Sequence, residues 1–364
     1  MEKYKMNEIK IIAFKNEENY IKDFINFSKK LYPNKYYIDS PSEIREILTG
    51  EHIFSKYFKV YPVLAYENEK VVARCLLTRY ENDDALYIGF FECVDDSNVA
   101  KSLFDYCEIK AKEWGYKKLI GPVDGSFWIR YRMKLDHFQE QPYVGEPYNK
   151  DYYRRLFEEN GLQLKEIYTS TMYDRIPDNY HDRLLDGLHK RCMEKGYEIK
   201  SIKKSDYDRC IAEICDLMTE LYKGFPLFST IDREDFITYF DRYRHILDYR
   251  FVKMAYFNGK AIGFFVGIPD YHNHLYNITF GNLLRAIKDR ISKKRYALTY
   301  LGCLNDYKGL GFAITKDMID ELHEIGSYSI GAFSHNGRVG KAFAKDLILD
   351  TYTYGLFEKT ISLE

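Results

Sequence analysis

The stretch Leu301-Gly-Cys-Leu-Asn-Asp-Tyr-Lys-Gly-Leu-Gly-Phe-Ala313 constrains the fold more than any other part of the chain. A strand pattern, Tyr296 to Cys303, runs into a short turn and re-emerges through glycines into an amphipathic helix. That helix carries Ile314, Met318, Leu322 and Ile325 on one face and stops at Gly326. A glycine-bearing strand-to-helix turn leaves backbone N–H groups free at a helix N-terminus. With the helix dipole, those donors suit a phosphate or pyrophosphate.

Two familiar loops are excluded. The stretch has no G-x-x-x-x-G-K-[ST] and no G-x-G-x-x-G, so it is neither a P-loop nor a dinucleotide fingerprint. What remains is Lys308-Gly-Leu-Gly311-Phe-Ala313 behind an apolar strand, with Leu301 and Cys303 ahead of it. This resembles the pyrophosphate loop of the GNAT acetyltransferase superfamily, [QR]-x-x-G-x-[GA], and the L-x-V end of that family's central strand. Lys308 stands where Arg or Gln is usual, and Gly311 and Ala313 fit.

At 364 residues the chain is long enough for two domains. A net charge of −1, with no basic run interleaved with aromatics, argues against a nucleic-acid partner. The seven cysteines are scattered, with no C-x-x-C pair, and read as thiols in a reducing compartment. No apolar run approaches membrane-spanning length and no signal peptide opens the chain. A soluble, cytoplasmic protein without a membrane partner is expected.

The N-terminal half reads strand (10–14), helix (18–31), a hairpin (60–66 and 71–78), strand (86–94), a helix from about Val99 to Trp114, and strand (118–122). That order resembles the GNAT fold without its loop. Asp95-Asp-Ser-Asn98 stands where the family has glycine and a cation, with Ser97 or Asn98 as the helix N-cap. Two carboxylates there would repel an anion. A helix over 148–157 and a strand over 164–173 follow, and Tyr143, Tyr148, Tyr152 and Tyr153 either pack on the sheet or line a groove. Ile176-Pro-Asp-Asn179 is the linker candidate, which sets the expected domains at 1–178 and 179–364.

The second half restarts the order, with helices near 181–194, 211–221 and 232–243 and a hairpin turning on Asn258-Gly259. His272 and His274 lie two apart on an irregular segment, a pattern for capping or hydrogen bonding more than for a metal. No metal is expected. A strand over 328–333, a helix opened by Ser334-His-Asn336 and running to about 347, and a last strand over 351–358 complete the pattern. The fold class is therefore α+β, two tandem GNAT-like domains, each a twisted, mostly antiparallel sheet flanked by helices.

The resemblance implies one site for acetyl-CoA or another acyl-CoA in the second domain. Backbone groups of Cys303 and Leu304 would meet the pantetheine arm. Lys308, Gly309, Leu310, Gly311, Phe312 and Ala313 would cradle the pyrophosphate, with Asn336 at the family's conserved asparagine position. The family's thiolate-protonating Tyr is replaced by Phe343, so Tyr300 and Tyr354 stand as candidate acids. The strand from Arg295 to Cys303 supplies no Asp, Glu or His as a base. Cys303 as a nucleophile is disfavoured, because transfer in the family is direct. The implied activity is N-acyl transfer to a small-molecule or peptide amine. A catalytically silent CoA or small-ligand sensor and a Fem-like aminoacyl transferase are the alternatives.

Overall fold

The computed structural model describes residues 9–277, 279–292, 294–335 and 344–362. The chain opens with β1 (Lys10–Ala13), α1 (Glu18–Leu31) and α2 (Pro41–Thr49). α1 buries Ile21, Phe24, Ile25 and Phe27, the stripe its apolar spacing sets. α2 was not expected, although its start is written in Ser40-Pro41, a side-chain cap followed by proline in the first turn. β2 (Lys59–Glu67), β3 (Lys70–Arg79) and β4 (Ala85–Cys93) form an antiparallel meander. α3 (Ser97–Glu113) then carries the chain to β5 (Lys118–Gly121), which runs parallel to β4.

The cap of α3 differs from the expected one. The Asp96 carboxylate, not Ser97 or Asn98, accepts the N–H groups of Asn98 (2.7 Å) and Val99 (3.3 Å). A carboxylate in β-region backbone just ahead of the helix reaches those donors directly. Short strands β6 (Val123–Asp124), β7 (Arg130–Tyr131) and β8 (Met133–Lys134) follow, then α4 (Tyr153–Glu159) and β9 (Gln163–Tyr173). α4 is shorter than expected. The Asn149 side chain bridges the N–H (2.7 Å) and C=O (3.1 Å) of Lys134 and pins the preceding chain as loop.

The second half contains α5 (Arg183–Glu194), β10 (Glu198–Ser201), α6 (Tyr207–Leu221), α7 (Arg233–Asp241), β11 (Val252–Phe257) and β12 (Lys260–Pro269). Asn258 and Gly259 take φ of 49° and 77°, as a two-residue hairpin turn requires. α8 (Phe280–Ser292), β13 (Arg295–Cys303), α9 (Leu310–Ile325), β14 (Tyr328–His335) and β15 (Ile348–Thr360) complete the chain. β14 runs on to His335, past the expected end. The helix expected to open at Ser334 is therefore strand at Ser334 and His335; most of the rest lies outside the described residues, and its described end, Lys345–Leu347, is one 3₁₀ turn.

Two units result. Unit 1 comprises Met1–Ile167 and Thr353–Glu364, and unit 2 comprises Tyr168–Tyr352. In unit 1 the strand order is β1-β2-β3-β4-β5, with the end of β15 beside β5. In unit 2 the end of β9 is followed by β14-β13-β12-β11-β10. Among the described residues each unit is mostly antiparallel and holds a parallel pair, β4 with β5 and β13 with β14, joined by a crossover helix. The core of unit 1 gathers Leu77, Ile88, Phe91, Phe104, Phe157 and Phe357, the last brought in by β15. Among the described residues no helix is long and apolar enough to cross a membrane.

Candidate functional site

β13 begins as a paired strand and ends as an open edge. Its parallel ladder with β14 covers Arg295 to Leu298 and stops at the Leu298–Gly331 pair. On its other side β13 stays paired to β12 as far as Cys303, with a bulge that places Thr299 between the Leu298–Gly267 and Tyr300–Val266 pairs. The Thr299 hydroxyl donates to the Val266 carbonyl (3.2 Å), holding the bulge closed. A bulge bends the strand that carries it, and here the bend falls where β14 is lost. β14 meanwhile follows β9, with a register shift between Gly331 and Ser334 and Phe333 at φ 56°. The two strands diverge.

The open stretch of β13 leads into the glycine turn. Leu304 N–H donates back to Ile262 (3.0 Å), so by strand alternation the N–H of Cys303 points to the opposite, open edge. The Leu310 N–H is taken by Tyr307 (3.1 Å), and that of Ala313 begins the helical ladder on Gly309 (3.1 Å). Gly309 sits at φ 87°, a conformation that favours glycine, and caps α9 without a side-chain hydrogen bond. A Cβ at Gly311 would meet only Cys303 Sγ, at 3.8 Å. Lys308 is exposed.

Unit 1 repeats the arrangement around its own parallel pair. β4 leaves β5 after the Tyr87–Ile120 pair and carries a bulge at Phe90 and Phe91 opposite Cys75. There, however, the gap is filled by the chain itself. β6 runs so close to β4 that a Cβ on Gly89 would lie 1.9 Å from the Val123 carbonyl oxygen. The Asp124 carboxylate accepts the Phe90 N–H. At the following helix, Asp96 occupies the first N–H groups.

No family model matches the sequence, and no curated protein matches it. Among solved structures, a tandem GNAT protein from the clavulanic acid biosynthesis pathway, without AcCoA, aligns over 98% of this chain and 99% of its own, with a TM-score of 0.51 at 10% identity. The chain has the tandem GNAT fold. A GCN5-related N-acetyltransferase from Sphaerobacter thermophilus aligns over 96% of both chains at TM-score 0.47 and 12% identity. FemX covers 96% of this chain and 97% of its own at 0.37 and 12%. At such identities the likeness concerns fold and not chemistry.

Within the tandem GNAT fold the expected site residues separate. Tyr300, Cys303, Leu304, Lys308, Gly309, Leu310, Gly311, Phe312 and Ala313 gather along the open end of β13 and the start of α9. Tyr354 belongs to unit 1 instead. It is fully buried and donates to Glu146 (2.6 Å), whose carboxylate also holds the buried Lys134. Burial, with Tyr143 and Glu146 adding, pushes that phenol far above its ordinary range. Asn336 and Phe343 lie outside the described residues. Burial raises the Cys303 thiol to about 12, which removes the thiolate a nucleophile would need. His274 Nδ1 lies 2.8 Å from Asp289, and His272 Nδ1 lies 3.6 Å from Asp270.

One titratable group escaped the sequence reading. His335 ends β14 beyond its pairing with β13, its ring against Tyr168 (4.9 Å) and Phe225 (5.3 Å). Ser334-His-Asn336 has the look of a helix start, which hid the continuing strand. The alternation of β14 beyond Ile330 was the signal available.

Proposed function

We propose that unit 2 binds an acyl-CoA, acetyl-CoA foremost, and that the protein transfers its acyl group to a small-molecule or peptide amine. The observation that carries this reading is the divergence of β14 from β13 at Leu298, beside a glycine-capped helix start. An open strand edge accepts an extended amide-bearing arm as it would an added strand. The N–H groups of Lys308, Gly309 and Gly311, the dipole of α9 and the Lys308 charge would receive the pyrophosphate. Cys303 N–H would polarise the thioester carbonyl and stabilise the oxyanion formed when the amine attacks. His335 is the group we assign to take the amine's proton, since β13 offers none.

Calorimetric titration with acetyl-CoA is expected to give one site per chain. Gly311→Val should abolish the heat by crowding the backbone against the pyrophosphate. It should change stability by less than about 1 kcal/mol, since valine costs little in a helix and a Cβ there meets no backbone. Normal binding by this variant would sink the assignment. Turnover, read as free thiol released only when an amine is present, should fall roughly a hundredfold or more in His335→Ala. Tight binding without turnover across a broad amine panel would mark a CoA-binding module instead.

A further inference from the structure

The gap between β4 and β5 is closed at one end by β6, but a cleft remains beyond it. Phe90, Glu92, Arg130, Arg132, Tyr148 and Tyr153 are among its lining. It holds about 410 Å³ counting the solvent-open mouth, and its enclosed part has room for only a few heavy atoms. Two non-glycine residues of this lining sit in the left-handed region, Phe90 at φ 44° and Arg132 at φ 90°. Backbone held there costs about 1–3 kcal/mol per residue and concentrates at functional sites.

Most charges around the cleft are committed to one another. Arg74, wholly buried, donates to Asp39 (2.6 Å) and to the Phe24 carbonyl (2.5 Å). Arg130 donates to Asp39 (2.8 Å), Asp124 (2.5 Å) and the Ile38 carbonyl (3.1 Å). Asp124 spends its other oxygen on Phe90 N–H. Glu92 is held on one side only. Its Oε2 accepts from Tyr32 (2.8 Å) and Tyr153 (2.5 Å), which fix the carboxylate in place. Its Oε1 accepts no hydrogen bond from the described residues. The Arg74 guanidinium lies 3.9 Å away, beyond hydrogen-bond reach, and the Glu92 side chain is only 10% exposed.

A carboxylate oxygen that lines a cleft and takes no donor from the protein is open to one supplied by a ligand. We propose that this cleft is a ligand site in its own right, which takes a primary ammonium group donating to Glu92 Oε1. The size of the enclosed part suits that head group, with the rest of the ligand lying toward the mouth. A cation is preferred over a neutral donor because Arg74 is already shared with Asp39. All the lining residues belong to unit 1, so this inference stands or falls apart from the acyl-CoA reading.

The groups facing Glu92 set the pH dependence. They are Arg74 on β3, Asp39 ahead of α2, Tyr32 after α1, Tyr153 on α4, and Asp124, Arg130 and Arg132 around the cleft. Burial pushes the Glu92 carboxyl up to about 7, with Asp39 adding and Arg74, Tyr153 and Tyr32 opposing. Ammonium binding needs the ionised form, so affinity rises from about pH 6 to about pH 8 and then levels.

Calorimetry on the full chain with ethylammonium and putrescine as probes tests this, with tetramethylammonium as a control that has no N–H to donate. Saturable binding of the primary amines, little of the control, and affinity roughly tenfold or more weaker in Glu92→Gln are expected. Gln keeps the shape and still accepts from both phenols. Because the variant bears on a buried network, the wild-type pH profile is the second measure. Equal affinity in Glu92→Gln, a pH-independent wild-type affinity, or no amine binding at millimolar concentration would each overturn the site.

Discussion

Arg74→Ala should lower the unfolding free energy of unit 1 by about 3–5 kcal/mol, read as an early denaturant midpoint, because it removes one partner of a buried ion pair. The guanidinium is wholly buried, 2.6 Å from Asp39, and lies over the Phe24 ring at 4.7 Å. Arg130 still reaches Asp39 at 2.8 Å, which places the loss toward the lower end. The acid limb moves too. Burial alone would raise the Asp39 carboxyl, yet Arg74 and Arg130 outweigh it and hold it well below the usual carboxylate range. A depressed pKa contributes stability above about pH 4, and that stability is lost as pH falls through the folded value. Without Arg74 the folded value rises, so the variant should unfold at a higher pH than wild type. An unchanged acid midpoint would mean that Arg130 alone carries Asp39.

Gly89→Ala should cost about 3 kcal/mol or more, a large effect for one methyl group. The new Cβ would fall 1.9 Å from the Val123 carbonyl oxygen and 2.7 Å from Asp124 Cα. Both are backbone, so no side chain can swing aside, and β6 must move away from β4. Overpacking of this kind costs about 1–3 kcal/mol, and displacing Asp124 from Phe90 N–H adds a charge-assisted hydrogen bond. Gly187→Ala in α5 is the contrasting control. It has nothing within 4 Å of the new Cβ and should be stabilising by about 0.5–1 kcal/mol. A Gly89→Ala chain as stable as wild type would mean that β6 is not seated against β4.

The elements were legible wherever local periodicity and local signals agreed. The apolar stripe of α1, the Asn258-Gly259 turn and the strand-to-helix step at Cys303 to Ala313 each carry their information within a few neighbouring residues. Tandem GNAT order followed from the repetition of such steps. Where a short polar side chain competed with the backbone the reading slipped, as at Asp96 ahead of α3 and Asn149 ahead of α4.

What the sequence determined by itself was thus the order of the main strands and helices, α2 and the short β6 to β8 excepted, and a glycine turn ahead of α9 with no side-chain cap. Only the tertiary structure decided which gaps stay open. Strand divergence depends on where two ladders end, and the Leu298–Gly331 and Tyr87–Ile120 limits are pairings between residues more than thirty apart. It also decided that Tyr354 is a buried partner of Glu146, and that Glu92, an ordinary-looking acid inside an apolar strand, faces a cleft with one oxygen unclaimed. Tyr32, Arg74 and Tyr153 are widely separated in the chain, and the environment they make for Glu92 exists only once the chain has folded.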